Sequence, residues 1–223
     1  MSVQLKVIIT SDGSHSLYHP DLRETYHSTH GAITESQHVF IQKGLVYRVA
    51  EGLKKLSVLE VGFGTGLNAL LTMDFVRQHQ ELDITYHTLE PFPLPSELVS
   101  QLNYTDISDF EAEDFKALHS CAWDRPNDLL SNFHFLKIKN RLEEMPTNIF
   151  YDVVFFDAFA PNKQEEVWSS DLLVKVYEMM NPSGVYVTYC AQGQLKRDLK
   201  SIGFTVETLE GPPGKKEMTR AVK

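Results

Sequence analysis

The sequence predicts an α/β protein built on a mostly parallel, doubly wound sheet that closes in a C-terminal antiparallel hairpin. Three observations carry that expectation. From Leu56 onward, strand-like runs alternate with helix-like runs, the order that gives βαβ units with right-handed crossovers. The strand runs are apolar on both faces, as in a sheet covered on two sides. A glycine-rich turn joins the first of these strands to the helix after it.

Element by element, Leu5–Thr10, a turn at Asp12-Gly13 and His15–Tyr18 read as a short hairpin. Tyr26–Gly31 is polar and loop-like. Thr34 with Gln37 three residues later fits a capping box that opens a helix through Val49. Strands come next at Val58–Val61, Ile84–Leu89, Phe133–Ile138, Tyr151–Phe156 and Gly184–Cys190. Between and after them lie helices over Leu67–Gln78, Phe110–His119, Glu165–Met180 and Gln194–Ile202. The runs Phe204–Leu209 and Glu217–Val222, split by Gly211-Pro212-Pro213-Gly214, form the closing hairpin. Gln80–Asn132 is long for one strand and should hold insertions. The expected organisation is an N-terminal extension of hairpin, loop and helix over residues 1–50, packed on a core domain over residues 51–223.

A chain of 223 residues that is 42% hydrophobic buries enough surface to fold without a disulfide or metal staple. No apolar run reaches membrane-spanning length, and Met1–Lys6 lacks the features of a leader. Cys121 and Cys190 do not form a ligand pair. A cytoplasmic protein is expected. The net charge of −9 argues against a general nucleic-acid coat. Yet Gly193–Lys223 holds seven basic residues against four acidic ones, which leaves a local phosphate-binding edge open beside the plain reading of a solvated face. Nine histidines are present, but none stands in a metal-ligand pattern, and no metal is expected.

Leu59-Glu60-Val61-Gly62-Phe63-Gly64-Thr65-Gly66 runs from strand into helix. Glycines there let backbone N–H groups approach a ligand closely. The G-x-G-x-G spacing departs from the dinucleotide pattern G-x-G-x-x-G. Glu60, two residues before the first glycine, suits a ligand with an ammonium group, and S-adenosylmethionine has one. Glu90, at the end of the second strand of the core, stands where an acid can hold ribose hydroxyls. A turn that needs small residues, with a surface acid beyond it, is the plain alternative.

Tyr151–Phe156 ends in Asp157-Ala158-Phe159-Ala160-Pro161. Ligands of open α/β sheets bind beyond the carboxyl ends of strands, where Asp157 points. An alkylamine titrates near the lysine value of about 10, so a carboxylate is needed to hold it and take its proton before it can act as a nucleophile. The same acid could instead cap the following helix.

Together the motifs resemble a family. Gly-Phe-Gly-Thr-Gly-Leu-Asn at 62–68 and Asp-Ala-Phe-Ala-Pro at 157–161 are similar to the methyltransferase unit that forms 5-methylaminomethyl-2-thiouridine in tRNA. So are Gly-Pro-Pro-Gly-Lys-Lys-Glu-Met-Thr-Arg-Ala at 211–221 and the opening motifs Ser11–Ser14, Tyr26–Ser28 and Gly31–Ser36. The resemblance spans residues 11–221. It implies a Rossmann-like class I methyltransferase that uses S-adenosyl-L-methionine, held by Glu60, Gly62, Phe63, Gly64, Thr65, Gly66, Asn68 and Glu90. Asn140 stands for adenine recognition where the family usually has Asp, and Pro91 follows Glu90 where the family often has Lys. The resemblance implies Asp157 at the aminomethyl group of the wobble uridine in tRNA. Tyr26, His27, Glu35, Phe159, Pro161, Lys215 and Lys216 are the candidate substrate contacts. It also implies a unit without the fused FAD-dependent oxidoreductase, so that a separate enzyme supplies the aminomethyl uridine.

Trp168 lies on the apolar stripe with Val167, Leu172 and Val176 and reads as core rather than as a base-stacking residue, and Cys190 reads as a buried thiol. The alternatives are a small-molecule amine transferase, which would place further acids after the fourth core strand, and a non-catalytic nucleotide-binding module. Residues 158–164 contain no acid. A nicotinamide oxidoreductase is disfavoured by the glycine spacing.

Overall fold

The computed structural model describes residues 4–223; Met1, Ser2 and Val3, half of the run that lacks leader features, lie outside them. A small antiparallel sheet comes first, with β1 (Lys6–Ile9), β2 (His15–His19) and β3 (Glu24–Thr25). The expected hairpin is present, pairing Lys6 with Tyr18 and Ile9 with His15.

A helix then runs as α1 (Ala32–Ser36), a stretch with i→i+5 bonding over Gln37–Val46, and α2 (Tyr47–Val49). It packs closely on the main sheet, where a Cβ at Gly44 would lie 2.8 Å from Val187. The capping box does not form. The helix starts at Ala32, and its first turn is capped from a distance. Asp12 Oδ2 accepts the Thr34 backbone N–H at 3.0 Å and the Thr34 hydroxyl at 2.8 Å. The Ala32 N–H donates to Ser14 Oγ at 3.1 Å. The hairpin turn therefore supplies the oxygens that helix N-termini require, which a local pattern search cannot see.

The core sheet contains β4 (Lys55–Val61), β5 (Asp83–Leu89), β6 (Asn127–Leu130), β7 (Phe133–Ile138), β8 (Tyr151–Phe156), β9 (Met180–Thr188), β10 (Thr205–Glu210) and β11 (Glu217–Val222). Their spatial order is β10-β11-β9-β8-β4-β5-β7-β6. The four central pairings are parallel; β6 and the β10–β11 hairpin add antiparallel edges. The helices are α3 (Leu67–Gln78), α4 (Ser96–Val99), α5 (Ala112–Ser120), α6 (Ser170–Glu178) and α7 (Gly193–Ile202). The helix expected over Glu165–Met180 is broken. Ser169 is extended (φ −61°, ψ 149°), a 3₁₀ turn precedes it over Glu165–Trp168, and Met180 joins β9 opposite Tyr151. The 80–132 region holds β5, α4, α5 and β6.

Side chains alternate between two cores. Val58, Val153, Phe155, Val185 and Val187 face α3, α5 and the N-terminal helix, while Leu59, Val154, Phe156 and Tyr186 face α6 and α7. Strand parity sets the direction of two acids, because Glu60 shares the parity of Val58, and Asp157 that of Phe155. Both thus turn toward α3. The chain order reverses at β4, with β5 and β7 on one side and β8 and β9 on the other, so the ligand crevice should open at its carboxyl end. No helix among the described residues is long and apolar enough to cross a membrane.

Candidate active site

A cavity of about 900 Å³ opens there, at the upper end of the roughly 300–1,000 Å³ usual for small-ligand sites. Its walls come from the loops after β4, β5, β7, β8 and β9, from Tyr26–Thr29 and Glu35, and from Lys215 in the closing hairpin.

On one side lies the glycine turn. Gly62 (φ +99°) and Gly64 (φ +50°) are left-handed. A Cβ at Gly62 would meet the Asp157 carbonyl oxygen at 2.6 Å, and one at Gly64 the Tyr26 ring at 3.2 Å. The N–H groups of Gly62 and Phe63 both donate to Leu89 O, at 3.0 and 3.1 Å. Glu90 accepts the Gly64 N–H at 3.0 Å on one carboxylate oxygen and the Phe92 N–H at 2.9 Å on the other. Burial raises its pKa, and the two N–H donors work against that rise. A side-chain-free backbone surface beside a fixed carboxylate fits a ligand that carries a sugar diol and needs close backbone approach. Asn140 also lines the cavity, with its Oδ1 accepting the Arg141 N–H at 2.9 Å. The Phe63 ring turns into the core against His119, Trp123 and Phe135.

Three residues expected at the cofactor do not line the cavity. Glu60 is fully buried, and neither of its carboxylate oxygens has a hydrogen-bond partner; burial, reinforced by the Asp157 charge, lifts its pKa to about 8. It is a neutral acid near pH 7, so it is no anchor for an ammonium group. Asn68 is buried and uses its Nδ2–H to hold Asp157 Oδ2 at 2.8 Å. Gly66 is the left-handed residue before α3, and a Cβ there would strike His119 rather than a ligand. On the substrate side, Pro161 and Lys216 likewise stand outside the lining residues, and Lys216 is exposed.

The opposite side is built by side chains from distant segments. Asp157 caps no helix; beyond Asn68, its environment is set by burial and by charge. Burial, reinforced by the Glu35 charge, lifts its pKa to about 7 against the pull of Asn68 and Lys215. Glu35 accepts the Ser28 N–H at 2.7 Å on one oxygen and Lys215 Nζ at 2.5 Å on the other. Lys215 Nζ also lies 3.9 Å from the centre of the Tyr189 ring, and Tyr189 donates its hydroxyl to Ala158 O at 2.8 Å. His27 shares a 2.7 Å hydrogen bond with the Thr65 hydroxyl, and burial lowers its pKa to about 4, so it is neutral. Tyr26 meets Phe159 edge-on at 5.0 Å. Trp168 is core, as expected, and its indole N–H fixes Phe159 O at 2.8 Å. Cys190 is buried. Among the described residues no cluster of three His, Cys, Asp or Glu could hold a metal ion.

Sequence reasoning misses Tyr189. Its signal is its place at the carboxyl end of β9, equivalent to that of Asp157 on β8. Also missed is the support behind the glycine turn, where His119 Nε2 lies 3.1 Å from Thr65 O. Buried Lys137 donates to His119 O at 2.7 Å beneath the Trp123 ring. Nothing local marks that pair.

Residues 115–223 match the family described as S-adenosyl-L-methionine-dependent methyltransferase. Over 216 residues the chain is 28% identical to a tRNA 5-methylaminomethyl-2-thiouridine biosynthesis bifunctional protein, MnmC, of Cupriavidus necator, covering 92% of this chain and 32% of the relative. The same-named protein of Pseudoalteromonas atlantica is 29% identical over 221 residues, covering 89% and 31%. The crystal structure of MnmC2 from Aquifex aeolicus superposes with a TM-score of 0.79 at 24% identity, over 99% of this chain and 70% of that one. The chain shares the fold of that structure. It spans about a third of the length of the curated relatives it matches. Spermidine synthase from Thermotoga maritima shares the fold, with a TM-score of 0.53 at 15% identity. The matched family uses S-adenosyl-L-methionine, and the glycine turn with Glu90 and Asn140 fits that cofactor.

Proposed function

We propose that this chain methylates the exocyclic amine of 5-aminomethyl-(2-thio)uridine at the wobble position of tRNA, in the cytoplasm, after a separate enzyme has supplied the aminomethyl group. The observation that carries this reading is Asp157, a half-buried carboxylate whose pKa is lifted to about 7, on the cavity wall beside the glycine turn.

Gly62, Phe63, Gly64 and Thr65 would hold the cofactor along their backbone, Glu90 its ribose and Asn140 its base. Bound there, S-adenosyl-L-methionine supplies an electrophilic methyl on a sulfonium, which departs as a thioether when the amine takes the methyl. Asp157 holds the incoming ammonium and accepts the proton that nitrogen must lose. An ordinary carboxylate near 3.9 is a poor acceptor from an amine near 10. Lifting Asp157 to about 7 narrows that mismatch by about three powers of ten. Asn68 fixes which Asp157 oxygen is engaged, leaving the other for substrate. Tyr26 and Phe159 form an aromatic wall on which a base can rest. Orientation of the two reactants supplies much of the remaining acceleration.

The test is mass spectrometry of wobble uridine from aminomethyl-bearing tRNA incubated with the protein and labelled cofactor; an unlabelled nucleoside ends the proposal. Glu24 and Glu166 also line the cavity, acids of the kind a polyamine would engage. Label in free polyamine and none in tRNA would select the small-molecule amine transferase.

A further inference from the structure

In the free protein, the corner beside Asp157 holds an alkylammonium of the chain's own. The Lys215 ammonium sits between the Tyr189 face, 3.9 Å away, and the Glu35 carboxylate at 2.5 Å. An aromatic face opposed to a carboxylate is the usual means by which proteins recognise ammonium groups. Both walls are fixed independently of Lys215. Glu35, whose side chain is 7% exposed, is anchored through its second oxygen by the Ser28 N–H. Tyr189 is anchored through its hydroxyl on Ala158 O. Lys215 is the movable member. Its side chain is 32% exposed, and it hangs from the Gly211–Gly214 loop on a stem with four rotatable bonds.

We propose that the Tyr189–Glu35 corner is the recognition site for the substrate's primary ammonium, and that Lys215 fills it as a stand-in until substrate displaces it. The inference rests on the amine-methylation reading and deepens it. Leaving Glu35 buried and unpaired is costly, so Lys215 withdraws only when another cation replaces it. A neutral or anionic group in place of the amine cannot make that exchange, which gives the site its selection for an ammonium. The freed Lys215 ammonium then lies at the cavity rim, available to an anionic group such as a phosphate.

The probe is ethylammonium, with ethanol as the neutral control, added to protein saturated with S-adenosylhomocysteine. In the wild type, the Lys215 ε-methylene protons should be shifted upfield by the Tyr189 ring. They should move back toward the values of a free lysine as ethylammonium is added, and ethanol should leave them unmoved. Lys215→Ala should bind ethylammonium at least about tenfold more tightly than the wild type, since no internal cation has to be displaced. Adding Glu35→Gln should remove that gain. An unmoved ε-methylene signal, or equal affinities in wild type and Lys215→Ala, overturns the proposal, and the wild-type titration decides it even if the variant fails to fold. Methyl transfer to aminomethyl-uridine tRNA is measured in parallel. Transfer without ethylammonium capture removes the corner and keeps the RNA reading, whereas capture without transfer removes the RNA reading and keeps the corner.

Discussion

The two halves of the cavity are constructed differently. The half proposed to hold the cofactor comes from the short turn Gly62–Thr65, with Glu90 and Asn140 at the ends of the two neighbouring strands, and is held by backbone groups. Leu89 O anchors two N–H groups, and Glu90 is clamped by two more. The half proposed for the amine comes from Glu35, Asp157, Tyr189 and Lys215, spread over most of the chain, and is held by side-chain charge and hydrogen bonds. A backbone-built half is sensitive to whether a side chain is present at all. A side-chain-built half is sensitive to each charge.

The largest effect should come from Asp157→Asn, which keeps shape and removes the proton acceptor. Methyl transfer should fall by about 10²–10⁴, while cofactor affinity measured by calorimetry stays unchanged. In the wild type the rate should climb with pH through about 7 as Asp157 ionises. In the variant that limb should vanish, and rate should recover toward the pKa of the amine. Wild-type turnover near neutral pH would make Asp157 structural and erase the contrast between the halves.

Gly64→Val should act first on the other half. A branched residue in left-handed backbone costs about 1–2 kcal/mol, and its Cβ would press on the Tyr26 ring. Calorimetry should show cofactor affinity weakened at least about tenfold; unchanged affinity in a folded variant would take the turn out of the site.

Charge reversals should separate two adjacent lysines. Lys215→Glu sets a third acid against Glu35 and Asp157, so amine transfer should fall with cofactor affinity intact. Lys216→Glu alters only an exposed position and should lower the salt slope of tRNA binding by about 1. Equal effects on transfer from both would dissolve the side-chain-built corner.

The smallest effect concerns stability. Asp157 holds its proton in the folded state up to about pH 7, whereas the unfolded chain releases it near 3.9. Its contribution is therefore full below about pH 4 and is lost as pH rises through about 7. Asp157→Asn escapes that loss, so its melting temperature relative to wild type should rise between pH 5 and pH 8, by roughly 2–4 °C per kcal/mol recovered. An offset that does not vary with pH would mean that Asp157 is not desolvated.

Legibility divides along the same line. Glycine turn, Glu90 and Asp157 announce themselves because each sits next to a strand end, and strand ends are visible in local hydrophobic pattern. Glu60 and Asn68 sit in the same motif and by position alone belong with the ligand contacts. Strand parity and the first turn of α3 turn them inward instead, one as a neutral buried acid and one as a support for Asp157.

By itself, the sequence determined the alternation of strands and helices, the left-handed glycines between β4 and α3, and the acid at the end of β8, because each depends on residues a few positions apart. Only the tertiary structure decided that the Asp12 turn caps the N-terminal helix, that Lys215 faces inward while Lys216 faces solvent, and that Tyr189 completes a corner with Glu35. Those outcomes depend on which distant segments the sheet order brings together at the carboxyl end of β4, and on the burial that results. Burial is what turns a carboxylate at a strand end into one that keeps its proton until about pH 7.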